Sequence, residues 1–278
     1  MFELTPRPST NHVPALDGVQ MNVNFARAVL EHHVDGRLWV DRPSAPRAGH
    51  SLHPSGMSLV WGDGLGDVIE PLASHLREGA YRDRVEWLQV DPRWEHLDWD
   101  TLLQGRASER SPGREAATVQ RYSRVNFRFD RTTFEARHGT ARVPVGYRLR
   151  PMSTQEFDLP GVGVVPSAYW RDATQFLAHG GGWCIEQDGV VAAISFTSFR
   201  FDDELEVGVE THPAHRGKGL ALSAAVAMVR AALAAGLTPV WSCRHENEAS
   251  LRLALRLGFE IARTGPYFRL PASNGVAA

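Results

Sequence analysis

The stretch that most limits the fold runs from Glu204 to Gly236. Glu204-Leu-Glu-Val-Gly-Val-Glu alternates charged and apolar side chains, the period of a half-buried strand. His215-Arg-Gly-Lys-Gly follows, and Gly219 to Ala235 then reads as a long alanine-rich helix stopped by Gly236 at the C′ position. Strand, short glycine loop and helix is an order with a physical use. The first-turn N–H groups of a helix lack partners and sit at the positive end of its dipole, so they suit an anion. Gly217 and Gly219 remove the Cβ atoms that hold a phosphate away from the backbone, and Arg216 and Lys218 add positive charge. The spacing fits neither a triphosphate loop nor a dinucleotide fingerprint, because Leu222 stands where a third glycine is needed.

The rest of the second half is patterned as clearly. A strand from Gly146 to Arg150 precedes a helix that ends near His179-Gly-Gly-Gly, and two apolar runs around Asp188-Gly189 read as an antiparallel hairpin. Pro239 to Cys243 is a strand, Asn247 an N-cap, and the helix after it runs to Leu257 and stops at Gly258. In the first half the period predicts helices near 23–33, 68–77 and 94–103, and strands near 38–40, 59–61, 85–90 and 120–129. The polar run from Gln104 to Ala117 reads as a loop, and the segment from Ala136 to Pro144 as a boundary. The expected division is an N-terminal mixed α/β domain over 1–140 and a second domain over 141–278.

Composition narrows the function. A net charge of −2 over 278 residues and a pI near 6.6 give no footprint for nucleic acid. The longest apolar stretch, Leu220 to Leu237, is broken by Ser223, Arg230 and Gly236, so no membrane span is expected. Met1 to Pro8 has neither the basic start nor the apolar core of a secretory signal, and a cytoplasmic location is expected. Cys184 and Cys243 read as buried small hydrophobes. His212, His215 and His245 lack a helical frame or a cysteine pair, so no metal site is expected. Trp39, Trp61, Trp87, Trp94 and Trp99 read first as core residues.

Arg216-x-x-Gly219-x-Ala221 resembles the Arg/Gln-x-x-Gly-x-Gly/Ala motif of the GNAT superfamily of N-acetyltransferases. Asn247-x-x-Ser250 with Leu257-Gly258-Phe259 resembles that family's next motif. The resemblance is strong from Gly180 to Phe268 and is narrowest with a bacterial subgroup whose chains carry an extra N-terminal domain. It implies an α/β fold with a mixed, centrally splayed sheet, the N-terminal domain being a degenerate relative of the second. It also implies acetyl-CoA as co-substrate, with the amides of Gly217, Lys218, Gly219, Leu220, Ala221 and Leu222 on its pyrophosphate beside Arg216. The backbone of Val209, Glu210 and Thr211 pairs with the pantetheine arm in this reading, a main-chain N–H there meets the oxyanion, and Asn247 contacts the cofactor. The expected reaction is acetyl transfer to an amine of a small molecule or peptide. A non-catalytic acyl-CoA sensor and an enzyme of longer acyl-CoA are the alternatives, and a homodimer is the candidate assembly.

Such a reaction needs a neutral amine. An alkylammonium with a pKa of about 10.4 lies roughly three units from neutrality at pH 7, a deficit of about 4 to 5 kcal/mol, so a base is expected. Glu204, Glu206, Gly208 and Glu210 share one strand face, and Glu206 is the preferred base. Seven residues after Asn247, where many family members place a tyrosine acid, this chain has Ala254; Tyr267 is the substitute by sequence.

Overall fold

The computed structural model describes residues 1–4, 16, 18–104 and 118–273. Its elements in chain order are β1 (Phe2–Glu3), α1 (Asn24–Leu30), β2 (Arg37–Val40), β3 (Gly49–Leu52), β4 (Met57–Trp61), α2 (Ile69–Glu78), β5 (Glu86–Val90) and α3 (Trp99–Gln104). They continue with β6 (Gln120–Phe129), α4 (Arg131–Arg137), β7 (Arg148–Pro151), α5 (Ala173–His179), β8 (Gly182–Gln187), β9 (Val190–Phe201) and β10 (Glu204–Thr211). Last come α6 (Leu220–Ala234), β11 (Thr238–Arg244), α7 (Glu248–Arg256) and β12 (Phe259–Leu270). The expected loop after Gln104 lies outside the described residues. No described helix is long and apolar enough to cross a membrane.

The chain forms two compact units. The first comprises Met1–Arg124, Arg244–Glu246 and Thr264–Ala278, and the second Val125–Cys243 and Asn247–Arg263.

In the first unit β1, β2, β3 and β4 are successive antiparallel neighbours, β5 runs parallel to β4, and β12 returns antiparallel along β5 with Tyr267 opposite Gln89. Leu72 and Leu76, four apart on α2, join Val60, Leu88, Trp99 and Phe268 in the core. Two elements here depart from the sequence pattern. The helix expected from Trp94 starts at Trp99, because Asp91 accepts from the Arg93 N–H and turns Pro92–Trp94 into a separate 3₁₀ turn. β3 shows no alternation because Gly49, His50 and Ser51 are all buried. A Cβ at Gly49 would meet the Trp61 ring, so only glycine fits there.

The polar members of that strand belong to a buried network. Glu86 accepts from the Ser58 hydroxyl at 2.6 Å and the Tyr81 hydroxyl at 2.8 Å, and lies 2.9 Å from His50 Nε2 and 3.1 Å from Arg82 Nε. Burial pushes the Glu86 pKa up, but His50, Arg82 and Ser58 outweigh it and hold the carboxyl down at about 2. A buried charge survives only when met in this way.

In the second unit β10 pairs antiparallel with β9, β9 with β8, and β8 with β7. The hairpin between β8 and β9 turns on Asp188 and Gly189, both with positive φ, as its Asp-Gly sequence predicts. Leu205 and Val207 of β10 meet Ala225, Met228 and Val229 of α6, together with Trp241 and Phe259, in one core. Alanines along α6 let it lie close on β8, β9 and β10. α4, which the period does not reveal, is capped by Asp130 accepting from the Thr133 N–H.

Candidate functional site

β10 is parallel to β11 over only three pairs, Glu204↔Thr238, Leu205↔Pro239 and Glu206↔Val240, whereas it stays paired with β9 as far as Thr211↔Ala193. From Val207 onward its β11-facing edge therefore has no strand partner among the described residues, and the sheet splays there as the family resemblance implies. The register with β9 slips between Glu206 and Val207, leaving Ser198 as an extra residue on β9. Such a bulge bends the strand where the splay starts. Val209, Glu210 and Thr211 all lie along the opened edge.

Past Thr211 the chain makes a 3₁₀ turn over Pro213–His215 and enters α6 through Gly217 and Gly219, with φ of 77° and 79°. Those angles suit glycine, and a Cβ at either position would meet nothing within 4 Å, so the backbone there faces open space. No side chain caps α6 and no acidic residue stands in its first turn. The amides of its opening turn are thus left for a ligand or solvent. Leu220 and Leu222 point their side chains into or against core clusters, so they contribute backbone, and Ala221 is half-buried between them.

The loop's side chains are tied down. Lys218 Nζ lies 3.1 Å from the Tyr147 hydroxyl, which is 3.0 Å from His215 Nδ1. Arg216 Nε donates to the Thr211 carbonyl at 3.2 Å, and its terminal nitrogen reaches Glu210 Oε1 at 3.4 Å. Tyr147, before the strand β7, was not singled out by sequence. It lies 71 residues from Lys218, and nothing local signals the contact.

The shared strand face of Glu204, Glu206 and Glu210 does not gather their carboxylates into one group. Glu204 is exposed and Glu210 is engaged by Arg216 and the Thr211 N–H. Glu206 is 7% exposed, and its Oε1 accepts from the Ser242 hydroxyl at 2.8 Å. Between them a Cβ at Gly208 would strike the Phe196 ring and Ser198 Oγ. The position must stay a glycine for this face to close. Ser242 was also missed by sequence, because its partner is on another strand.

Asn247 caps α7, its Oδ1 accepting from the Ser250 N–H at 3.2 Å. Ala254 is fully buried in the core around Trp241 and Phe259, which leaves no room for a larger side chain. Tyr267 belongs to the first unit, where it stacks on Trp87, and burial raises its phenol pKa. Cys184 and Cys243 are free and buried, and burial pushes the Cys184 thiol up to about 11. Among the described residues no group of three His, Cys, Asp or Glu side chains is arranged to hold a metal ion. His212 accepts from the Ala214 N–H, and His245 donates its backbone N–H to Ser123.

Residues 19–267 match the family model described as GNAT acetyltransferase. The chain is 22% identical over 240 residues to the curated protein "Uncharacterized N-acetyltransferase YdfB" of Bacillus subtilis (strain 168), covering 85% of this chain and 86% of that one. In fold it is similar to a GCN5-related N-acetyltransferase-like protein from Streptococcus suis, with a TM-score of 0.59, 20% identity, and coverage of 86% and 89%. It is similar also to a GCN5-related N-acetyltransferase from Sphaerobacter thermophilus, with a TM-score of 0.52, 12% identity, and coverage of 91% and 87%.

Proposed function

The chain belongs to the GNAT acetyltransferase family, and from that premise we propose that it carries the acetyl group of acetyl-CoA to an amine of a small molecule or peptide. The observation that supports this most is the uncapped, glycine-built start of α6 at the end of a strand whose neighbour has splayed away. Open space beyond Gly217 and Gly219 is what a pyrophosphate needs.

In this reading the amides of residues 217 to 222 hold the pyrophosphate, and Arg216 and Lys218 balance its charge. Val209, Glu210 and Thr211 offer backbone along the open edge of β10 to the pantetheine arm, and Asn247 touches the cofactor while capping α7. Bound acetyl-CoA supplies a thioester whose acyl carbon an amine attacks. Glu206 takes the proton that the amine nitrogen gives up as the C–N bond forms. Ser242 holds one carboxylate oxygen in place, which sets the orientation of the base. The departing thiolate has a pKa comparable to the cysteine value of about 8.5, so water suffices to protonate it. Ala254 supplies no acid.

The test is a panel of amines with acetyl-CoA and a readout of released thiol. Acceptor-dependent release by the parent, lost in Gly219→Glu, supports the proposal. Release that ignores both acceptor and substitution contradicts it.

A further inference from the structure

The first unit carries a face that none of these steps uses. Trp87 and Gln89 on β5 stand directly opposite Arg269 and Tyr267 on β12, and directly opposed residues share one face of a sheet. The Trp87 and Tyr267 rings stack at 5.0 Å between centroids, and Tyr122 meets Trp87 at 5.5 Å. Over this aromatic floor lies Arg244, its guanidinium carbon 4.9 Å from the Trp87 centroid and 5.4 Å from that of Tyr122. Arg124 sits 5.4 Å from the Tyr267 ring. Trp87, Tyr122 and Arg244 are each half-buried and remain reachable from solvent.

Two donors there, on Gln89 and Arg244, want an acceptor. Gln89 is 2% exposed, and its side-chain nitrogen has no hydrogen-bond partner among the described residues. An amide N–H left unpaired inside a protein is costly. Ring faces steady the Arg244 guanidinium but leave its in-plane N–H groups unused. Among the described residues that guanidinium makes no hydrogen bond or ion pair. Arg124 and Arg244 are the charges that act on the Tyr267 hydroxyl, and both favour its ionised form. Glu246, two residues after Arg244, is already engaged by the Ser123 N–H.

We propose that this face binds a carboxylate carried on a flat, unsaturated body. The carboxylate lies in the plane of the Arg244 guanidinium, whose fork matches its two oxygens, with the Gln89 amide as a further donor. The flat body extends from the guanidinium along the solvent-side rims of Trp87 and Tyr122, whose faces Arg244 covers. One fork and one neutral amide suit a single negative charge better than a phosphate, which collects backbone amides and several cations. The site is independent of the acetyl-CoA reading.

Phenylacetate and its neutral counterpart phenylacetamide, titrated calorimetrically into the full chain, test the proposal. Phenylacetate binds at one saturable site and phenylacetamide about tenfold or more weaker, because a hydrogen bond to a charged partner is lost. Arg244→Gln lowers phenylacetate affinity by a similar factor. Gln89→Leu removes an unpaired amide, so it keeps or raises the melting temperature while weakening phenylacetate several-fold, a combination that damage to the fold does not produce. Gly219→Glu leaves phenylacetate binding unchanged. Equal affinity for acid and amide, parent-like binding in both site variants, loss of binding in Gly219→Glu, or no saturable phenylacetate binding overturns the proposal.

Discussion

The Ser242 hydroxyl donates to Oε1 of Glu206 across 2.8 Å, joining β11 to β10 just where their pairing ends. This bond fixes the orientation of the carboxylate proposed as base. Glu206→Gln is expected to lower turnover by about 100-fold near pH 7, the lower range for general-base catalysis. The loss shrinks as pH rises, because solvent hydroxide then takes the proton that the nitrogen gives up as the C–N bond forms. Ser242→Ala lowers turnover less and leaves the KM for acetyl-CoA near the parent value. Steady-state rates against pH check both, and a parent-like profile for Glu206→Gln removes it from the mechanism.

Tyr147 bridges Lys218 and His215 through one hydroxyl. Tyr147→Phe frees both side chains of the loop, so acetyl-CoA binding is expected to weaken by a few-fold, about the value of one net hydrogen bond. Calorimetric titration measures it. Unchanged affinity means that the loop is ordered by its backbone alone.

Ala254 is packed on all sides. Ala254→Tyr therefore overfills the core and is expected to cost about 1 to 3 kcal/mol of stability rather than to add an acid. A lower melting temperature with no rate gain is the expected pair of results. Parent-like stability with faster turnover contradicts this packing.

Burial holds the His53 pKa down at about 3 in the folded chain, against an ordinary value of 6.5. The unfolded chain takes up a proton below pH 6.5 that the folded chain refuses, so stability is full above 6.5 and falls as pH drops toward 3. The slope from one such group is about 1.4 kcal/mol per pH unit. Glu86, held at about 2 against 4.5, adds a second loss between pH 4.5 and 2. His53→Gln is expected to flatten the melting temperature between pH 6.5 and 5. An unchanged slope assigns the acid sensitivity to other groups.

What the sequence disclosed follows from the range of each signal. The strand before His215, the two glycines and the helix closed at Gly236 are written in local periods of 2 and 3.6 and in backbone angles that suit glycine. The Asp188-Gly189 hairpin is equally local. Contacts made through the sheet left no local trace: Ser242 meets Glu206 only because β10 and β11 are parallel neighbours, and Tyr267 meets Gln89 only because β12 returns antiparallel along β5. β3 was hidden because its buried His50 and Ser51 interrupt any apolar period, their cost being met by partners such as Glu86 and the Trp61 indole.

Pyrophosphate held at the start of α6 makes acetyl-CoA a ligand of the native state, so thermal unfolding with and without it is the decisive test. Ligand at about 100 times its Kd stabilises the native state by about 2.7 kcal/mol, which raises the melting temperature of a chain of this size by several degrees. Gly219→Glu places a side chain and a negative charge in space the backbone leaves open, at a φ that disfavours any residue with a Cβ. A clear upward shift is expected for the parent and none for a folded Gly219→Glu chain. A variant that folds and is stabilised by acetyl-CoA as much as the parent contradicts it.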